Sequence, residues 1–199
     1  AVMRKRPGHK AAQLGAILGL DPPPLPVAWT APEDRARAAA LLPPGAPVLV
    51  LGPTANWRGK VWPAERFVAL ARALLAGPMA GARVAVLAGP GAEERALAAP
   101  VLAALPQAVD LAGRVTLPEA ASVLAQAALF VGNDSGLMHL AAAAGAPTLG
   151  LFGPTPSAEY APAGPRAAVA VAPGARMEDL SVDAALAAAT GLIGLARAA

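Results

Sequence analysis

Residues 131–155 read VGNDSGLMHLAAAAGAPTLGLFGPT. Two short apolar runs, 128–131 and 148–152, bracket a polar turn and an alanine-rich stretch with helical spacing. The segment therefore reads as strand, turn, short helix and strand, closed by a Gly-Pro-Thr turn. Unbroken apolar runs, rather than alternating ones, mark strands covered on both faces. The turn Asn133-Asp134-Ser135-Gly136 opens the helix. Its backbone N–H groups then face outward at the C-terminal end of a strand, where an anion can be held. Open α/β sheets place their ligands at this same edge.

The same alternation extends in both directions. Helices are expected at 9–19, 32–42, 63–76, from the end of the GPGAEE loop to about 105, and at 117–127, 136–144 and 182–196, and strands at 48–51, 83–88, 109–111, 128–131, 148–152 and 167–171. Strands alternating with helices imply a parallel sheet. The fold class is therefore α/β, a Rossmann-like parallel sheet with helices on both faces. Between the first two helices, DPPPLPVAWTAP at 21–32 is too rich in proline for a regular element. Residues 1–31 then form a basic arm and proline-rich linker, and 32–199 the folded domain. In a parallel sheet all strands end on one edge. The polar loops PTANWRGKVWP, GPGAEE, NDSG and FGPTP each follow a strand, so they are expected to converge on a single rim.

Composition narrows the classes. The 199 residues are 56% hydrophobic, enough for a full core, and contain no cysteine. Disulfides and thiolate metal sites are excluded, and a reducing compartment fits. The opening AVMRKRPGHK has no apolar core after its charges, so it does not read as a signal peptide. No charged residue falls between Ser135 and Ser157, but Gly145-Ala146-Pro147 breaks that run. Neither piece reaches the roughly 20 residues of a spanning helix. Net charge is only +3. Arg4, Lys5, Arg6 and Lys10 concentrate positive charge in the arm, which is either a solvated terminus or a contact for an anionic lipid surface or acidic partner. No interleaving of aromatic with basic residues supports nucleic-acid binding.

Several constellations carry chemistry. Ser135 is an N-cap candidate, and His139, four residues on, shares its helical face. Side chains lean toward a helix N-terminus, which brings the imidazole to the mouth of the turn. Leu137, Leu140, Ala141 and Ala144 are the expected buried stripe. The plain alternative is an N-cap with a satisfied, half-buried histidine. Asp134 repels phosphate, so it suits sugar hydroxyls beside a phosphate, or else serves as a second cap. Lys60 stands beside Gly59 and just ahead of Pro63, the expected first helical residue, where it adds positive charge to an amide cradle. GxxxxGK[ST] is absent. Trp57 and Trp62 are either packing residues or stacking platforms. Gly89-Pro90-Gly91 is followed by Glu93 and Glu94. These acids are either ordinary partners of the helix dipole or acceptors for a ribose diol. There is no HExxH, no Cys/His cluster and no pair of close aspartates, so no metal is called for.

VGNDSGLMHLAAAAGAPTLGLFGPTP, together with the loop ending GKVWP and the strand-then-GPGAEE turn in the same order, closely resembles glycosyltransferase family 9, the lipopolysaccharide heptosyltransferases. The likeness covers about 48–196. It implies the C-terminal half of a GT-B enzyme, which has two Rossmann-like domains. By the resemblance, this half binds the nucleotide-sugar donor, an ADP-heptose, as substrate with no separate cofactor. By the resemblance, Lys60 faces the diphosphate or sugar with Asn56 in the same loop, where some relatives carry hydroxyl residues. Ser135 and Gly136 hold the diphosphate, Asp134 contacts the sugar, and His139 supports them. Glu93 or Glu94 reaches the ribose, the backbone near Val115 frames the adenine, and Leu117 offers an apolar wall. Lys60 and Asp134 are the catalytic candidates. The implied partners are a lipopolysaccharide-core-type acceptor and an N-terminal acceptor domain that supplies the general base. The implied location is cytoplasmic, with peripheral contact at the inner face of the membrane. Two rival functions remain open at this point: a nucleotide-sugar epimerase on a related scaffold, and a non-catalytic nucleotide-binding fragment or subunit.

Overall fold

The structure is a computed structural model and describes residues 8–198. Arg4, Lys5 and Arg6 of the basic arm lie outside that range. Six strands form one sheet: β1 (Val48–Gly52), β2 (Arg83–Val86), β3 (Val109–Asp110), β4 (Leu129–Asn133), β5 (Thr148–Phe152) and β6 (Ala167–Val171). Their spatial order is β3-β2-β1-β4-β5-β6. Every pairing is parallel. The sheet is thus the α/β arrangement expected from the alternation of runs.

The strands are apolar throughout because both of their faces are covered. Along β1, Leu49 and Leu51 point into one core cluster and Val48 and Val50 into the other, as the two-residue period of a strand requires. The first cluster is closed by α3 (Ala64–Ala76), α4 (Ala92–Ala104) and α8 (Val182–Ala198), through Phe67, Leu70, Val101 and Leu192 among others. The second is closed by α2 (Pro32–Leu41), α5 (Leu117–Ala125) and α6 (Gly136–Ala143), through Ala38, Leu124 and Met138. Each large apolar side chain buried this way contributes about 1.5 to 3 kcal/mol. Among the described residues no helix is long and apolar enough to cross a membrane.

Several boundaries differ from the sequence reading. β4 runs on through Asn133, which pairs in register with Leu151 of β5. Asn133 is therefore a strand residue and not part of the turn. Pro63 is the N-cap of α3 rather than its first helical residue. The connection before it, expected as plain loop, contains a 3-10 turn at Arg58–Lys60. Two further short elements, α7 (Ser157–Tyr160) and a 3-10 turn at Met177–Asp179, lie in stretches read as irregular.

The buried stripe of α6 is also shifted. It consists of Met138, Ala141 and Ala142, whereas Leu137, Leu140 and Ala144 are only half-buried. Met138 lies over Gly150 of β5, where an added Cβ would stand 2.5 Å from its sulfur. A long, pliable side chain over a bare glycine sets the rotation of the helix.

The arm is tied to the domain at a few points. His9 caps α1 (Lys10–Ile17) by accepting from the Ala11 N–H, and its other ring nitrogen meets the Ala161 carbonyl at 2.8 Å. Lys10 lies 3.3 Å from Glu159 and over the Tyr160 ring. Further on, the Ala28 N–H donates to Ala143 at the end of α6. Leu14, Ile17, Leu18, Val27 and Trp29 remain exposed, Trp29 to 88%.

Candidate functional site

β1 and β4 are neighbours in space but not in sequence, and the chain leaves them toward opposite faces of the sheet. Such a switch point opens a crevice at the C-terminal edge. Lys60, on the 3-10 turn after β1, and Asp134, directly after β4, meet there. Lys60 Nζ stands 2.8 Å from Asp134 Oδ2. Thr155, in the turn after β5, donates its hydroxyl to the same oxygen at 2.7 Å. Asp134 is almost fully buried and the Lys60 side chain keeps 19% exposure. Three of the loops expected to converge therefore close on a single carboxylate oxygen. Asp134 acts as acceptor for a lysine and a threonine, and not as a second cap of α6.

One residue back, Asn133 is fully buried. Its side-chain oxygen accepts the backbone N–H of Trp62 at 3.0 Å. Its amide nitrogen is enclosed and meets no protein acceptor. Trp62 is a packing residue. Its ring is buried edge-on to Phe67, with centroids 5.1 Å apart, and its indole N–H donates to the Leu180 carbonyl at 2.9 Å. Arg66 donates to that carbonyl as well. Trp57 is half exposed, with its ring lying against Gly59.

Ser135 occupies the N-cap position of α6 with extended backbone, but its hydroxyl caps nothing. The oxygen is enclosed without a protein partner. A helix start leaves its first N–H groups without intrahelical partners, and Gly136 has open space around its Cα. His139, one turn on, is exposed along part of its ring. The protein packed around the rest of the imidazole pushes its pKa below the ordinary value. Asp134 pulls in the opposite direction, while His9 and Lys60 reinforce the depression. A depressed pKa favours the neutral ring, which can donate and accept a hydrogen bond.

The remaining candidates line the rim on the β2 and β3 side. Asn56 is exposed in the loop before the 3-10 turn. Glu93 forms an ion pair with Arg58 at 3.1 Å, both side chains being well exposed. Glu94 folds back over the preceding turn, where a Cβ on Gly89 would lie 2.4 Å from its carboxylate. Only a residue lacking Cβ leaves room for that fold. Val115 is half-buried against the second core cluster, whereas Leu117 is 71% exposed. Thr116 caps α5, and Glu119 reaches back to the Thr116 N–H at 2.7 Å. That backbone bond holds the Glu119 carboxyl below its usual pKa. The structure thus brings Lys60, Asp134, Ser135, Gly136 and His139 to one crevice. Asn56, Glu93, Glu94, Val115 and Leu117 flank it along the same edge.

Thr155 and Asn133 join the candidate site through their bonds to Asp134 and Trp62, and sequence reasoning does not single them out. FGPTP is one of the loops expected to converge, which is the signal that points toward Thr155. Asn133 carries no such signal, because an asparagine ahead of Asp-Ser-Gly reads as a turn residue.

The family model of glycosyltransferase family 9 (heptosyltransferase) matches residues 8–186. Lipopolysaccharide heptosyltransferase 3 of Escherichia coli is 36% identical over 109 residues, 54% of this chain and 31% of that protein. Among solved structures, a family 9 glycosyltransferase from Veillonella parvula superposes with a TM-score of 0.80 at 20% identity, covering 98% of this chain and 63% of that one. The E. coli heptosyltransferase WaaC with ADP gives a TM-score of 0.65 at 25% identity, covering 85% of this chain and 51% of that one. In each case this chain spans less than two thirds of its relative.

Proposed function

The chain belongs to glycosyltransferase family 9, and from that premise we propose that it is the donor-gripping half of an enzyme moving a heptose from an ADP-sugar to a lipopolysaccharide-core-type acceptor. The observation that carries this reading is the head of α6. There a lysine, a set of outward N–H groups and an enclosed, unpartnered serine hydroxyl share one crevice. Those are the groups that hold a diphosphate.

In this reading the diphosphate sits at the start of α6, with the Ser135 hydroxyl and the Gly136 amide on its oxygens. Lys60 turns from Asp134 toward the phosphates. As the glycosidic bond to the β-phosphate breaks, negative charge grows on the departing diphosphate. Lys60 and the helix terminus are already aimed at that charge, which is catalysis by electrostatic preorganisation. Asp134, still held by Thr155, accepts from sugar hydroxyls. His139, whose burial favours the neutral ring, hydrogen-bonds beside them. Glu93 or Glu94 takes the ribose hydroxyls, and the backbone at Val115 with the exposed Leu117 face receives the adenine.

The base that deprotonates the acceptor is assigned to an acceptor-binding half outside this chain, since the Asp134 carboxylate is committed to Thr155 and to the donor's sugar hydroxyls. The exposed apolar residues of the arm, Leu14, Ile17, Leu18 and Trp29, suit contact with such a half. The arm's basic residues suit peripheral contact with an anionic membrane surface at the cytoplasmic side.

Titration calorimetry tests the reading directly. The chain is expected to bind ADP and an ADP-sugar but to transfer the sugar only when mixed with a separately expressed acceptor half. Absence of heat with either nucleotide at millimolar concentration would reject it.

A further inference from the structure

We propose that Asn133 is a positioning residue that fixes Lys60 against the diphosphate by clamping the backbone of the Lys60 loop. The proposal rests on the donor-site reading above. The connection from β1 to α3 occupies 53–63, longer than the roughly two to six residues usual between a strand and a helix. Its shape is therefore not set by brevity and has to be set by ties. The side chain of Lys60 is tied to Asp134 at 2.8 Å. The backbone two residues later is tied to Asn133, where the Trp62 N–H donates at 3.0 Å. Asn133 and Asp134 are consecutive, so the last residue of β4 and the one after it both hold this loop.

The two ties differ in what a donor does to them. Phosphate oxygens compete with Asp134 for the lysine ammonium, so the ion pair loosens as the site fills. A backbone N–H held by a fully buried amide oxygen is not open to that competition. Once the ion pair loosens, the clamp keeps Lys60 within reach of the phosphates. A buried asparagine at the end of an otherwise apolar strand is costly in itself, since its amide nitrogen has no protein acceptor. An apolar residue would fill that place more cheaply if the position served only the core.

The test compares ADP with adenosine, which lacks the phosphates that Lys60 addresses. Asn133→Leu keeps the size of the side chain and removes the acceptor. The clamp predicts that this variant loses about tenfold in ADP affinity while its adenosine affinity stays within about twofold. In a Lys60→Ala background, the same substitution is expected to change ADP affinity by less than about twofold, because the residue it positions is gone. Asn133→Ser, a smaller change, is expected to show the same selective loss. Equal losses for ADP and adenosine would make Asn133 merely structural and overturn the clamp. So would a loss that persists undiminished without Lys60.

If neither variant folds, amide exchange on the wild-type chain decides. Trp62 is expected to exchange far more slowly than Trp57 and Arg58, and exchange at the same rate overturns the clamp. A wild-type chain that ignores ADP overturns the donor reading and the clamp with it. A wild-type chain that binds ADP through Lys60 while Asn133→Leu leaves both ligands unaffected overturns the clamp alone.

Discussion

Arg58 and Lys60 stand two residues apart on one 3-10 turn, each facing a carboxylate, yet they inhabit different physical worlds. Arg58 reaches Glu93 with both side chains open to water, 76% and 66% exposed. Lys60 reaches Asp134 in a crevice where the two retain 19% and 5%. Water and salt screen the first pair, so it contributes little beyond a local preference. The second pair has given up much of its hydration, and a further hydrogen bond from Thr155 supports its acceptor. Neighbouring cations on one turn can thus be either surface decoration or machinery. What separates them is which way the chain carries them, outward beside α4 or inward over the end of β4.

Lys60→Ala is the strongest probe of that difference. It removes the charge proposed to face the diphosphate and leaves Asp134 enclosed with only the threonine. ADP affinity is expected to fall by about 1.5 to 3 kcal/mol, roughly tenfold to a hundredfold, as read by calorimetry. Unchanged affinity would remove Lys60 from the site. Thr155→Val keeps the shape and deletes the hydroxyl. It is expected to lower stability in urea unfolding by about 1 kcal/mol, with no loss if the carboxylate finds water instead.

His139→Gln sharpens the comparison through pH. The folded protein holds the His139 imidazole below its ordinary pKa, so the unfolded chain takes up that proton first. Stability is therefore full above the unfolded value of about 6.5 and declines as pH drops through the lower folded pKa. The glutamine variant is expected to lose that part of the slope of melting temperature between pH 7.5 and 5. Superimposable curves would contradict the assignment. The smallest effect belongs to Arg58→Ala, which is expected to stay within about 0.5 kcal/mol of wild type in stability and to leave ADP affinity intact. A large loss there would erase the contrast between the two pairs.

The strand-turn-helix-strand stretch and the family resemblance make the sheet legible, because short unbroken apolar runs are the pattern of strands covered on both faces. The meeting of Lys60 with Asp134 follows from the rule that parallel strands end together. Less is legible where tertiary contacts overrule local signals. Asn133 looks like a turn residue, but pairing with Leu151 keeps it in the strand. The stripe of α6 is not where apolar spacing puts it, because spacing alone does not show that Met138 has a bare glycine to lie on. Ser135 sits where an N-cap belongs, yet its hydroxyl is withheld from the backbone. The 3-10 turn at Arg58–Lys60 has no strong propensity behind it; the bond from the Trp62 N–H to Asn133 ties the chain just after it.

The depth of that tryptophan gives the molecule an optical gauge of its own. Trp29 and Trp57 stand in water, whereas Trp62 has no exposed surface. A water-borne collisional quencher such as iodide should silence the first two and spare the third. The residual emission then comes from a ring whose indole N–H is bonded to Leu180, just ahead of α8. Its colour and intensity would register, without any attached dye, the moment the segment leading into the closing helix parts from the loop that carries Lys60.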